Sequence, residues 1–243
     1  EKLEMLRQVL NNIVDPLNSS YFPSCTVTTN DAGTETGRSP AGCVTRSEVN
    51  ELLNGINLGL MIANPSGNGK GGYVRSHIRP MNIAANRTAL LTKINPSIPQ
   101  ANNAPYAKTM HEAYLYFGGK RAYVGFDSDS YDADAKSGVN YVSPATDGCQ
   151  DNFIIFVGNG GPDSGENNDA LALLNGIGGV LNSDPISFTP ANFTTNWFDE
   201  YARTLKKQDV VPNTILPGEQ HVTTYTIAVQ NPADNNYSTN PER

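Results

Sequence analysis

The chain has 243 residues, of which 38% are apolar and only 17% charged, and its formal net charge is −7. The apolar share is enough for a core, but the negative balance argues against nucleic acid, where binding begins by neutralising phosphates, and against docking on anionic lipid. No apolar run approaches the roughly 20 residues of a membrane span, and the wealth of Gly, Pro, Asn, Ser and Thr fits a loop-rich, secreted-looking surface.

Leu3, Leu6, Val9, Leu10 and Ile13 recur at helical spacing, so residues 1–14 are predicted as an amphipathic helix that Asp15-Pro16 ends. With no cap before that helix and no strand ahead of it, the chain reads as a fragment. Residues 18–44 are polar and turn-rich, with a period of neither 2 nor 3.6, and are expected to be an irregular insertion. Cys25 and Cys43 bracket most of it. A disulfide between them would restrain a segment with little else to order it, contributing roughly 3 kcal/mol. Three thiols are the other reading, with Cys149 left over in either case, and no C-x-x-C pair supports zinc.

Thr45-Arg46-Ser47-Glu48 fits a capping box, and Val49, Leu52, Leu53 and Ile56 continue it as a short helix that Gly55 closes. Leu58 to Ile62 and the alternating run Tyr73 to Arg79 are predicted strands of an antiparallel hairpin at a sheet edge, joined by a glycine-rich link. Helices are expected over 86–94 and 105–117, the second with Pro105 in its first turn. Residues 118–148 form a second insertion, with a short strand-like stretch at 122–126 and an acidic loop. Phe153-Ile154-Ile155-Phe156-Val157 is the most apolar run and predicts a central parallel strand buried on both faces. A helix over 197–206, a last strand over 222–229 and a polar tail from 230 complete the order. Strands alternating with helices predict a doubly wound α/β domain, its mostly parallel sheet covered by helices on both faces and its first strand missing from the chain. One domain over 1–243 is expected, with 18–44 and 118–148 as insertions and 230–243 as a tail.

Few residues point to chemistry. Asp127, Asp129, Asp132 and Asp134 cluster ahead of Gly138, as ligands for Ca²⁺ might, but a calcium loop counted from Asp127 needs Gly at its sixth and Glu at its twelfth position, where Asp132 and Gly138 stand. A solvated acidic loop is the favoured reading. Gly158-Asn159-Gly160-Gly161 lacks the Lys-Ser/Thr of a phosphate loop and is expected to be a tight turn. His77, His111 and His221 show no metalloprotease or triad spacing. Trp197, Tyr114 and Tyr116 sit at helical spacing and are expected in the core. A secreted hydrolase using Glu112 or the Asp199/Glu200 pair is the rival from another class, but neighbours on a helix point about 100° apart and cannot flank one bond.

Several segments, taken in order, resemble one family, the PilC/PilY adhesins of type IV pilus tips. They are Ile78-Arg79-Pro80-Met81 with Asn86 to Leu91, Met110-His111-Glu112-Ala113-Tyr114-Leu115-Tyr116-Phe117-Gly118-Gly119, Tyr141-Val142-Ser143-Pro144, Cys149 to Gly160, Asn196 to Arg203, and Val222 to Ile227. The resemblance implies a von Willebrand factor A-like domain, Rossmann-like in build, working as a non-enzymatic adhesion and assembly module. It implies minor pilins or the pilus tip complex as partners, a host or abiotic surface as the target, and a place outside the cell reached through the periplasm. Domains of that type often hold Mg²⁺ on hydroxyls and a carboxylate. Here the resemblance puts Ala104 at the threonine position and Asn159 at the aspartate position, so no metal and no other cofactor is expected, with weak Mg²⁺ or Ca²⁺ binding as the lesser reading. A metal-dependent receptor domain of the same type is the alternative within that fold.

Overall fold

The structure is a computed structural model that describes residues 25–41, 43, 45–64, 70–94, 105–123, 131–158, 162, 164–179 and 196–228. The chain divides into two compact units, Glu1–Leu60 with Ser76–Ile98 and Met61–Arg75 with Pro99–Arg243. The expected helix over 1–14, the rest of the stretch at 122–126 beyond Tyr123, and the tail from 230 lie outside the described residues.

In the first unit, strands β1 (Thr26–Thr29) and β2 (Glu35–Ser39) pair antiparallel, with Val27 opposite Arg38 and an irregularity after Thr28. The predicted irregular insertion therefore contains a hairpin. Its turn is built by Asn30, whose side-chain oxygen accepts from the N–H groups of Ala32 and Thr34 at 3.1 and 2.9 Å, while Gly33 takes a positive φ of 77° that a side chain would resist. Helix α1 (Arg46–Leu52) starts with the predicted capping box. The Thr45 hydroxyl accepts from the Glu48 N–H, and the Glu48 carboxylate accepts from the Thr45 N–H at 2.7 Å. After α1 come β3 (Asn57–Ala63) and β4 (Gly72–Pro80), which form a two-stranded sheet. The Asn64 N–H donates to the Gly71 carbonyl and the Met81 N–H to the Ile56 carbonyl, so the pair runs as the predicted antiparallel hairpin. Residues 57–60 and 76–80 belong to the first unit, 61–63 and 72–75 to the second. Helix α2 (Ala84–Ile94) closes a small core in which Leu90 and Ile94 meet Met81, with Leu53, Leu58, Leu60 and Leu91 packed around them.

The second unit is organised around α3 (Tyr106–Phe117), which is buried from Ala107 to Phe117 on every side. A helix covered all round has no solvent face for its polar residues. It packs against α4 (Asn167–Gly176), α5 (Phe198–Lys207) and the short strand β6 (Asn140–Tyr141), itself paired antiparallel with β5 (Lys136–Ser137). Strands β7 (Asn152–Gly158) and β8 (Val222–Ala228) pair in parallel, with Asn152 opposite Val222 and Ile155 opposite Tyr225.

These pairings overturn the doubly wound expectation. The described strands form four sheets of two strands each, and only β7 with β8 is parallel. The strand at 152–158 is not flanked by the one near 58–62, because β3 pairs with β4. Nor is it buried on both faces, since Phe153 and Ile155 are exposed while Asn152 and Gly158 are buried. The physical reason is that alternate residues of a strand face opposite ways, and only one face of this pair is covered. There, Phe156 meets Tyr106 of α3 and Phe198 of α5 with ring centroids at 4.8 and 4.6 Å, and Val222 is fully buried. The apolar run reflects β-forming residues on both faces, not two layers of helix.

Candidate functional site

The densest group of ionisable side chains described lies along α3 and its neighbours. The residue before this helix is Pro105, which offers no side-chain cap, so the first N–H groups of the helix need acceptors from elsewhere. Glu166, in the 3₁₀ turn Ser164–Glu166 that leads into α4, supplies both: one carboxylate oxygen accepts from the Ala107 N–H and the other from the Lys108 N–H, each at 3.0 Å. The Asn196 side-chain amide donates to the same carboxylate at 3.1 Å. A helix N-terminus favours an anion, and here the chain fills that position itself. Burial pushes the Glu166 carboxyl up from its usual value, against the pull of these three donors and of the Lys108 charge.

One turn on, the pattern repeats with other partners. The Lys108 ammonium, on a side chain only 1% exposed, meets the Asp169 carboxylate at 2.9 Å, and Asp169 is 66% exposed. The Tyr201 hydroxyl donates to the Ala170 carbonyl at 3.1 Å, which uses its single proton. The 3.2 Å contact between that hydroxyl and His111 therefore has the His111 Nδ1–H as donor. Burial holds His111 at a pKa of about 4, so the ring is neutral near pH 7. Tyr123 and Tyr201 present edges to it at 5.6 and 5.7 Å. The fully buried Glu112 accepts from the Tyr141 hydroxyl at 2.9 Å and from the Tyr123 N–H at 3.1 Å. Burial first, and the Glu112 charge second, push the Tyr141 hydroxyl far above its usual value.

Chemically, this group is occupied with the fold. Glu166, Glu112, His111 and Tyr201 are buried and hydrogen-bonded to the chain itself, and these bonds tie α3 to α4, α5 and β6. Among the described residues no three of His, Cys, Asp and Glu gather as metal ligands would.

The predicted site residues are scattered. Cys25 and Cys43 are bonded, with Cα atoms 5.3 Å apart, and Cys149 is an exposed free thiol. Asp132 caps the turn Ala133–Ala135 through a bond from the Asp134 N–H at 3.1 Å. Ala104, Asn159, Asp127 and Asp129 lie outside the described residues. Glu200 receives the Arg203 guanidinium at 2.6 Å, and burial raises its neighbour Asp199. His221 contacts the Gln208 carbonyl and Glu219, each at 3.1 Å. Tyr114 and Tyr116 are in the core, and Trp197, half-buried, donates from its ring nitrogen to the Asn167 carbonyl. Sequence reasoning left Glu166 in a polar loop, because its two backbone partners stand 58 and 59 residues away and no local pattern links them. Compared with family models, curated proteins and solved structures, the chain matches none.

Proposed function

We propose that the chain is a non-enzymatic binding module of an exported protein, working in surface attachment or assembly. What supports this reading above all is a contrast of exposure. The acids, histidine and tyrosines gathered along α3 are buried in structural bonds, while Phe153, Ile155, Tyr225 and Ile227 stand exposed on one sheet face. Catalysis needs a titratable group within reach of substrate; binding needs apolar surface that can be desolvated. The Cys25–Cys43 bond agrees with an oxidising compartment. A type IV pilus tip is the setting we propose, with minor pilins or a host or abiotic surface as partners, and it rests on the ordered PilC/PilY-like segments alone. The von Willebrand factor A-like sheet that came with that resemblance is not carried forward.

The test is attachment of beads coated with the oxidised chain to epithelial-cell monolayers and to plastic, run beside assays for glycoside, ester and peptide hydrolysis. Attachment above that of albumin-coated beads, without turnover, is expected. Hydrolysis that Glu112→Gln removes while the fold survives would overturn the reading in favour of a hydrolase.

A further inference from the structure

The parallel pair β7–β8 has one covered face and one bare one. In the observed register Phe153 lies beside Thr223, Ile155 beside Tyr225 and Val157 beside Ile227, and residues paired across strands about 4.8 Å apart point to the same side. Four of these side chains are more than half exposed: Phe153 at 53%, Ile155 at 64%, Tyr225 at 57% and Ile227 at 52%. The Phe153 and Tyr225 rings lie 6.2 Å apart, so the patch is continuous across the strands. On the opposite face Phe156 and Val222 are covered by α3 and α5.

We propose that this face docks an amphipathic helix of a partner protein, with a leucine- or isoleucine-rich stripe and lysine or arginine flanks. The proposal rests on the binding-module reading and names the partner's chemistry. Three observations select a helix. Parallel strands are found with both faces covered, by helices as a rule, and in this pair a helix already covers one of them. The exposed apolar area is roughly 400–500 Å², as large as the largest patch on ordinary monomers. That is about half of the 800 Å² per partner of a standard stable interface, so face-to-face stacking of two copies would be too small. It matches one helix: seven paired residues span about 23 Å, the length of about 15 helical residues. The basic flanks follow from the net charge of −7 and from Asp151 and Glu219, both exposed beside the starts of the two strands.

The experiment uses the oxidised full chain and a fluorescein-labelled synthetic peptide of about 18 residues, with leucines at helical spacing on one face and lysines on the other. Anisotropy should rise to saturation, and Ile155→Lys or Ile227→Lys should weaken binding by about tenfold or more. Leu52→Lys, at a site 72% exposed on the other unit, should leave it unchanged. Circular dichroism checks that each variant is folded. No saturable binding by the folded chain, or binding that Ile155→Lys and Ile227→Lys leave intact, overturns the docking proposal whatever the bead assay gives. Self-association in sedimentation that Ile155→Lys abolishes would overturn it in favour of a second copy. Bead attachment that persists in Ile155→Lys sinks neither reading, whereas loss of attachment by the unaltered chain sinks only the broader one.

Discussion

The two units use charged residues in opposite ways. In the first, Arg38 stands between two acids at the surface: its guanidinium meets Glu35 and Glu48 at 2.5 Å and donates to the Cys43 carbonyl at 2.8 Å. The bonds from Arg38 hold Glu35 below the usual carboxylate range, and with the bonds from Thr45 they bring Glu48 down to about 2. In the second unit, burial dominates: it raises Glu166 and lowers His111, in each case toward the neutral form. The same types of residue thus clamp an exposed hairpin to a short helix in one place and form the inside of a helix bundle in the other. Exposed pairs are screened and replaceable, whereas buried ones leave a stranded partner when cut.

That contrast can be broken at its strongest point first. Glu112→Ala leaves the Tyr141 hydroxyl and the Tyr123 N–H without that acceptor inside the second unit, and roughly 3–5 kcal/mol of stability should be lost. Urea denaturation followed by tyrosine fluorescence measures it, and Tyr141→Phe, which removes a donor and strands less, should cost well under half as much. A loss below 1 kcal/mol for Glu112→Ala would mean that the pairing is not buried as described.

The second test uses pH. His111 has its folded pKa depressed from 6.5 to about 4, so between those values the unfolded chain binds the extra proton. Stability should therefore rise as pH goes from 4 to 6.5, by on the order of 3 kcal/mol. Glu166 works the other way: its raised pKa means that stability falls as pH climbs above 4.5 through the folded value, offsetting part of the gain. His111→Gln should remove the rise and leave the fall, which denaturation midpoints taken across pH 4 to 7 would reveal.

The third concerns the first unit alone. Reducing the Cys25–Cys43 bond, with a sequence separation of 18, should cost about 3 kcal/mol locally. Amide exchange should quicken in β1 and β2 and stay unchanged in α3, and equal acceleration in both units would mean that they unfold together. The smallest effect belongs to Arg38→Met. Its stability change should shrink further in 1 M salt, but the Glu48 titration, followed by carboxyl carbon NMR, should move from about 2 toward 4.5. Below 4.5 the native chain loses what this depressed carboxylate contributes, and all of it is gone once pH has fallen through about 2.

Local structure was readable wherever neighbours in the chain decide it. The Thr45–Glu48 box, the alternation from Tyr73 to Arg79, and the helices at 84–94, 106–117 and 198–207 follow from spacing, because capping and periodicity act over a few residues. The β1–β2 hairpin was missed although its turn signal was present: Asn30 and Gly33 between two threonine-containing runs carry the chemistry of a turn, but too little apolar alternation to mark the strands.

Other features had no local signature. Nothing near Phe153 says whether one face or both will be covered, since that depends on where α3 and α5 come to lie. Nothing near Glu166 says that it will cap a helix 58 residues earlier, and nothing in the 106–117 pattern says that Lys108, His111 and Glu112 will be buried instead of solvated. Spacing of three to four residues, or of two, determines which elements form, because those interactions are made within the element. Sheet pairing, burial of ionisable groups and the direction of their pKa shifts were decided only by the tertiary structure, because each depends on atoms brought together from distant parts of the chain.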